Sequence, residues 1–254
     1  MAYWWNARME KLICTYAKAA FWYTPDAISQ AKDRNPQLGN RGHLMRPGMM
    51  PPDFGEVKYI PDNKLEFSYF GGLTPERNLG VFTAALGRLL KERPELKAVI
   101  QVHQYGGEMD KVSQEGFKQL PDSILVSHGR LETDPVTGKN GRQRVLEQMR
   151  QSDVLILMHG QGEICRLYIP SKIYEYLWAQ RPVLLFSPLP AHWNDILDSS
   201  AHYMIDQTDP VAIDKALSRL IEDWETDQLS DRPISQAHSV KTAVDHLVAI
   251  AQSD

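Results

Sequence analysis

Between Lys64 and Trp224 the chain alternates about six times between a short apolar run and a longer segment whose apolar residues recur at three- and four-residue steps. No other feature restricts the fold so sharply. A run of four to six apolar residues suits a strand covered on both faces, and the longer period suits an amphipathic helix. Parallel strands cannot be joined by tight hairpins, so each needs a crossover, and alternation of this kind specifies a parallel sheet with helices on both faces. The expected strands are 65–70, 98–102, 124–127, 154–158, 183–186 and 202–205. The expected helices are 75–92, 111–119, 138–151, 191–198 and 209–224, with a further one at the head of the fifth strand. Ligands of such sheets sit beyond the carboxyl ends of the strands, near the reversal in strand order. The loops 71–77, 103–110, 128–132, 159–169 and 187–190 are therefore the candidate site.

The flanks are different in character. Residues 3–20 form an aromatic-rich helix with Met9, Leu12, Ile13 and Tyr16 on one face, followed by the short strand Phe21–Thr24. A helix this apolar needs a large partner surface. Residues 26–33 make another short helix, and 46–55, dense in Pro and Gly, is the best domain boundary. Residues 240–252 close the chain as an amphipathic helix.

Composition removes several function classes. A net charge of -4 with scattered basic residues gives no footprint for nucleic acid. No apolar stretch approaches the roughly 20 residues a bilayer requires, and residues 1–6 lack the regions of a signal peptide, so a cytoplasmic location is expected, peripheral at the inner membrane face as its variant. Cys14 and Cys165 are expected to be free thiols. The dispersed histidines lack paired ligand spacing, so no metal site is expected.

The chemistry concentrates between Tyr168 and Leu189. Pro170 and Ser171 are helix-start signals, and Val183–Phe186 is a buried strand. Lys172 and Glu175 fall in the first turn, near unpaired N–H groups that favour a phosphate. A carboxylate one turn in can accept both hydroxyls of a ribose. The same turn also reads as a capped surface helix with solvated charges. The loop G-G-L-T-P-E-R-N after the first strand lets the backbone approach a ligand at Gly71 and Gly72, and Arg77 offers a fork of donors to phosphate oxygens. It reads equally as a plain strand-to-helix turn, and Gly106-Gly107 and Gly129 carry the same ambiguity. His128 is either a base contact or an ordinary loop residue. Ser127-His128 lacks the nucleophile elbow of a hydrolase.

The segments S-Y-F-G-G-L-T-P-E-R-N, S-D-V-L-I-L-M and I-P-S-K-I-Y-E-Y-L-W-A-Q-R-P-V-L-L-F resemble the C-terminal, donor-binding domain of GT-B glycosyltransferases of the family 4 (group 1) type. The match runs over residues 64–224, and upstream E-K-L-I-C-T-Y-A-K-A-A-F-W-Y-T-P and R-P-G-M-M-P-P-D-F resemble the end of the acceptor-side domain and its linker. The resemblance implies a remnant of the acceptor-side domain with linker at 1–55, a Rossmann-like nucleotide-sugar-binding domain at 56–230, and a C-terminal helix at 231–254 packing back toward the acceptor side. It also implies residue roles. Glu175 would bind the ribose; Gly71, Gly72, Arg77, Ser171 and Lys172 the diphosphate; and the backbone at Arg130 and Leu131 the base. No catalytic residue is assigned.

The implied activity is retaining transfer of a sugar from a UDP- or GDP-linked donor to an acceptor hydroxyl on a glycan or lipid-linked glycan, without a metal or other cofactor. Three departures stand out. Leu167 occupies the place of the family's first glutamate, with Glu163 out of register; Gly72 stands where many members have arginine; and most of the acceptor-side domain is missing. The expectation is a donor half that is truncated or works with a separate acceptor-domain chain docking on the Trp4, Trp5 and Trp22 region. The alternatives are a non-catalytic nucleotide-sugar-binding module and an epimerase-like protein.

Overall fold

The computed structural model describes residues 2–188, 193–233 and 239–252, with side chains from Trp5 onward. In chain order the helices are α1 (Ala2–Tyr16), α2 (Pro25–Arg34), α3 (Gly80–Glu92), α4 (Lys111–Phe117), α5 (Gly141–Gln151), α6 (Lys172–Trp178), α7 (Pro210–Glu225) and α8 (Val240–Gln252). The strands are β1 (Ala20–Trp22), β2 (Gly42–Leu44), β3 (Leu65–Phe70), β4 (Ile100–Tyr105), β5 (Leu125–Gly129), β6 (Val154–Met158), β7 (Val183–Ser187) and β8 (Tyr203–Asp206). They divide into two compact units: Pro52–Gln161 with Glu175–Ile234, and Met1–Pro51 with Gly162–Tyr174 and Ser235–Asp254.

The larger unit is the expected α/β sheet. Six strands pair in the order β5-β4-β3-β6-β7-β8, every pair parallel. Alternate residues of the strands point to opposite faces. Leu65, Phe67, Ile100, Val102, Val154, Ile156, Leu184, Phe186, Tyr203 and Ile205 point to one face and form a single core with Phe82, Leu86 and Leu90 of α3, Phe117 of α4 and Ile213, Leu217, Leu220 and Ile221 of α7. Each such side chain contributes about 1.5–3 kcal/mol on full burial. On the opposite face Tyr105 donates to Gln148 of α5 at 2.7 Å, and the Tyr176 hydroxyl of α6 donates to the Ile156 carbonyl at 3.2 Å. Helices thus cover both faces.

Element ends differ from the sequence expectations for local reasons. α3 begins at Gly80 rather than Pro75, because Thr74 and Arg77 exchange backbone hydrogen bonds of 3.0 Å and close a tight turn. Pro94–Ala98 folds as a 3-10 turn, which moves β4 onward to Ile100–Tyr105. The polar end of that strand is tolerated because buried Gln104 is satisfied, donating to the Gly107 carbonyl and accepting from Ser127. Asn140 caps α5 by accepting from Gln143 N, and Asp209 caps α7. The helix expected at 191–198 falls partly outside the described residues, and 193–198 form turns.

In the smaller unit, Thr24 caps α2 by accepting from Ala27 N at 3.1 Å. α1 ends at Tyr16, before the expected residue 20. β1 and β2 pair in parallel, a pairing that a strand as short as Gly42–Leu44 did not announce. Cys14, Ala20, Ala31 and Leu38 form its core. Cys14 and Cys165 are both buried thiols. α8 buries none of its described side chains, and Met49 bridges to Ser239 beside it. Among the described residues, no helix is long and apolar enough to cross a membrane.

Candidate functional site

From β3 the chain moves outward through β4 to β5, then returns to β6 on the other side of β3 and moves outward through β7 to β8. The reversal therefore lies between β3 and β6, and the loop at the carboxyl end of β3 is Gly71-Gly72. Three glycine loops are stitched together here. Gly71 N donates to the Tyr105 carbonyl and Gly106 N to the Gly129 carbonyl, both at 2.8 Å, which extends the sheet ladder past the strand ends.

The glycines have separate reasons to be glycine. Gly106 has φ +142, and a Cβ built there would lie 2.4 Å from the Gly71 carbonyl oxygen. Gly71 has φ +131. Gly72 has no such backbone demand, yet a Cβ on it would meet nothing within 4 Å, as is also true of Gly107. The Gly71-Gly72 and Gly107 backbone thus borders open space at the place where sheets of this class take ligands.

Arg77 folds back over this loop. Its Nη2 donates to the Gly72 carbonyl at 3.0 Å, while its Nε is buried without a hydrogen-bond partner. A buried guanidinium N–H with no acceptor costs free energy unless something supplies one. An anion held at the glycine loop would do so. Tyr69 also donates to the Gly72 carbonyl at 3.0 Å, so both side chains fix the second glycine.

Glu175 lies in α6, and its side chain is only 12% exposed. Its Oε1 accepts from Arg142 Nη2 at 2.8 Å. Arg142 is the second residue of α5, whose first, Gly141, packs under the segment expected to meet the base: a Cβ on Gly141 would lie 2.0 Å from the Leu131 carbonyl. Arg144 donates to the Glu132 carbonyl at 2.8 Å and holds the same loop. The Arg130 side chain is 88% exposed and lies 3.9 Å from Glu132. The structure therefore brings Leu131, Gly141, Arg142 and Glu175 into one chain of contacts. Sequence reasoning missed Arg142 entirely; the signal was an arginine in the first turn of a helix, where a cation is unfavourable without a partner.

Ser171 and Lys172 belong to the smaller unit, at the head of α6. Ser171 is exposed and Lys172 half-buried, and the turn is closed by Ile173 N to the Pro170 carbonyl and Tyr174 N to the Ser171 carbonyl, both 3.1 Å. α6 has seven residues, ending at Trp178 and not at Arg181, with Gln180 in the left-handed region. Leu167 closes a short 3-10 turn that starts at exposed Glu163.

His128 acquires a specific environment. β4 and β5 shift register so that Gln104 faces Ser127 and Tyr105 faces Gly129, leaving His128 as the bulged residue. A bulge re-aims a side chain. Here it lays the His128 ring flat on Tyr105 (centroids 4.2 Å, planes 5° apart), which itself stacks on Phe70 at 4.6 Å. His128 Nε2 meets His103 Nδ1 at 3.1 Å. Burial lowers the pKa of both imidazoles, and His103 lowers that of His128 further. Both therefore favour the neutral form. Two recesses of about 220 and 280 Å³ occur at the opposite, amino end of the sheet, beside Glu66 and Asp153 and beside Tyr59 and Trp224. They are remote from the glycine loops.

No family model matches the chain, and no curated protein matches it. Solved structures do. The chain is similar to an α,α-trehalose 6-phosphate synthase from Burkholderia multivorans (TM-score 0.64, 13% identity, covering 96% of this chain and 61% of that one). It is similar to HepE from Anabaena, solved in complex with UDP and glucose (TM-score 0.62, 12% identity, 98% and 67%), and to TarM (TM-score 0.58, 16% identity, 97% and 46%). The chain thus spans about half to two thirds of these proteins. At such identities the likeness establishes the fold alone: a Rossmann-like parallel sheet with helices on both faces, as in these GT-B neighbours.

Proposed function

We propose that the chain is the donor-binding half of a glycosyltransferase, taking a nucleotide sugar and presenting its anomeric carbon to an acceptor hydroxyl. The observation that carries this is the open glycine backbone at the strand-order reversal, with Arg77 folded over it and a buried Nε lacking an acceptor. A diphosphate seated there supplies that acceptor. Arg77 would balance the charge that builds on the departing nucleoside diphosphate, an effect that is strong when the donor is already in place. Glu175 would accept the ribose hydroxyls, and the peptide at Arg130–Leu131 would read the edge of the base. Family resemblance favours retention of configuration and independence of metal.

UDP is the first donor nucleotide to test, since HepE is a neighbour solved with UDP and glucose. The acceptor, a glycan or lipid-linked glycan, would be held by a second domain, in the same polypeptide or in a separate cytoplasmic chain. The extra length of the solved neighbours supports that requirement. Calorimetry with UDP- and GDP-sugars tests the reading. Binding that is lost in Glu175→Ala supports it; absence of binding to every nucleotide sugar defeats it. Binding without turnover until a partner domain is added would identify a half-enzyme, and binding without turnover under all conditions a non-catalytic module.

A further inference from the structure

Arg142 has no role in the family pattern described above, yet it makes the ion pair to the carboxylate expected to meet the ribose. We infer that Arg142 is a positioning residue for the donor: it orients Glu175 and cancels its charge, so that an anionic nucleotide can use it as a hydrogen-bond acceptor. This rests on the donor-site reading of the glycine loops.

The electrostatic need is direct. A nucleoside diphosphate is polyanionic, and a carboxylate beside its ribose opposes binding at the same time as it recognises the hydroxyls. Glu175 is only 12% exposed, so water screens it poorly, whereas Arg142 is 49% exposed and retains about half of its contact with water. Arg142 Nη2 donates to Glu175 Oε1 at 2.8 Å and so favours one orientation of the carboxylate. The backbone supplies the precision. Asn140 accepts from Gln143 N and so fixes the first turn of α5, where Arg142 follows Gly141. Gly141 touches the Leu131 carbonyl with no room for a Cβ, so the loop that would meet the base and the arginine that holds the ribose carboxylate share one turn. A shift at one moves the other.

The test measures affinity for UDP and GDP, for their 2′-deoxy counterparts and for inorganic pyrophosphate, in the full chain and in Arg142→Gln, Arg142→Lys and Gly141→Ala. The full chain should prefer ribonucleotides over deoxynucleotides. Arg142→Gln should weaken ribonucleotide binding about tenfold and shrink that preference toward unity, with a distinctly smaller loss for pyrophosphate, which feels the bared carboxylate only at a distance; Arg142→Lys should restore much of it. Gly141→Ala should weaken both ribose and base discrimination, and circular dichroism would confirm that each variant is folded. An unchanged preference in Arg142→Gln overturns the inference while the donor site stands, as does a uniform loss for all ligands, pyrophosphate included. Failure of the full chain to bind any of the nucleotides removes the donor site and this role with it.

Discussion

Gly72 and Gly106 stand in neighbouring loops but should fail in opposite ways when replaced by alanine. In Gly106→Ala the new methyl would sit 2.4 Å from the Gly71 carbonyl oxygen, so the two loops must part by about 1 Å to reach ordinary van der Waals contact. The residue must also keep φ +142, which costs an L-residue about 1–3 kcal/mol. Overpacking adds about as much again, so a loss near 3 kcal/mol is expected. For a unit of this size that lowers the thermal midpoint by roughly 6–12 °C. In Gly72→Ala the methyl meets nothing within 4 Å, and stability should stay within about 0.5 kcal/mol. The same methyl would occupy the space proposed for the diphosphate, so UDP affinity should fall more than about tenfold. Calorimetric melting and titration of the two variants separate the effects. Equal midpoints for Gly106→Ala and the parent chain, or undiminished UDP affinity in Gly72→Ala, would refute the reasoning.

Other perturbations have comparable reach. Arg181 is fully buried, pairs with Asp231 at 3.0 Å, donates to the Ser152 and Leu229 carbonyls at 2.8 Å and lies over the Tyr59 ring, so Arg181→Ala, which leaves a cavity and strips those carbonyls of their donor, should cost about 3–5 kcal/mol by urea denaturation. Burial holds the folded-state pKa values of His103 and His128 below the ordinary imidazole value of about 6.5, so the unfolded chain takes up protons first as the pH falls. Their contribution to stability is complete above about pH 7 and is lost as the pH falls through 6.5 and below. Urea midpoints at pH 7.5 and 5.5 should differ less in His103→Gln/His128→Gln than in the parent. Leu12, Ile13 and Tyr16 of α1 and Val244 and Leu247 of α8 are exposed, so the chain alone should bind a hydrophobic dye. Leu12→Glu with Leu247→Glu should reduce that signal with less than about 0.5 kcal/mol change in stability.

Much of the larger unit was legible in the sequence because one period repeats there. Leu65–Phe70 and Val154–Met158 were located to the residue, since buried runs bounded by turns leave little freedom. The boundaries that moved did so for reasons a period cannot carry: the closed Thr74–Arg77 turn delayed α3, and burial of Gln104 and Tyr105 prolonged β4 through polar residues. β1 and β2, three residues each, pair residues 22 positions apart and leave no local pattern. At the site, Gly71, Gly72, Arg77 and Glu175 could be named from loop position and resemblance. Arg142 could not, because its partner is 33 positions away. Nor could the bulge that turns His128 onto Tyr105, since register is a property of the pair of strands and not of either one.

Where a nucleoside diphosphate rests on the chain is measured most directly by a crystal structure soaked with UDP. It should place the phosphates against the Gly71-Gly72 backbone with an oxygen on Arg77 Nε, and the ribose hydroxyls on Glu175. Nucleotide found elsewhere, or glycine loops left empty at saturating UDP and GDP, would contradict that placement.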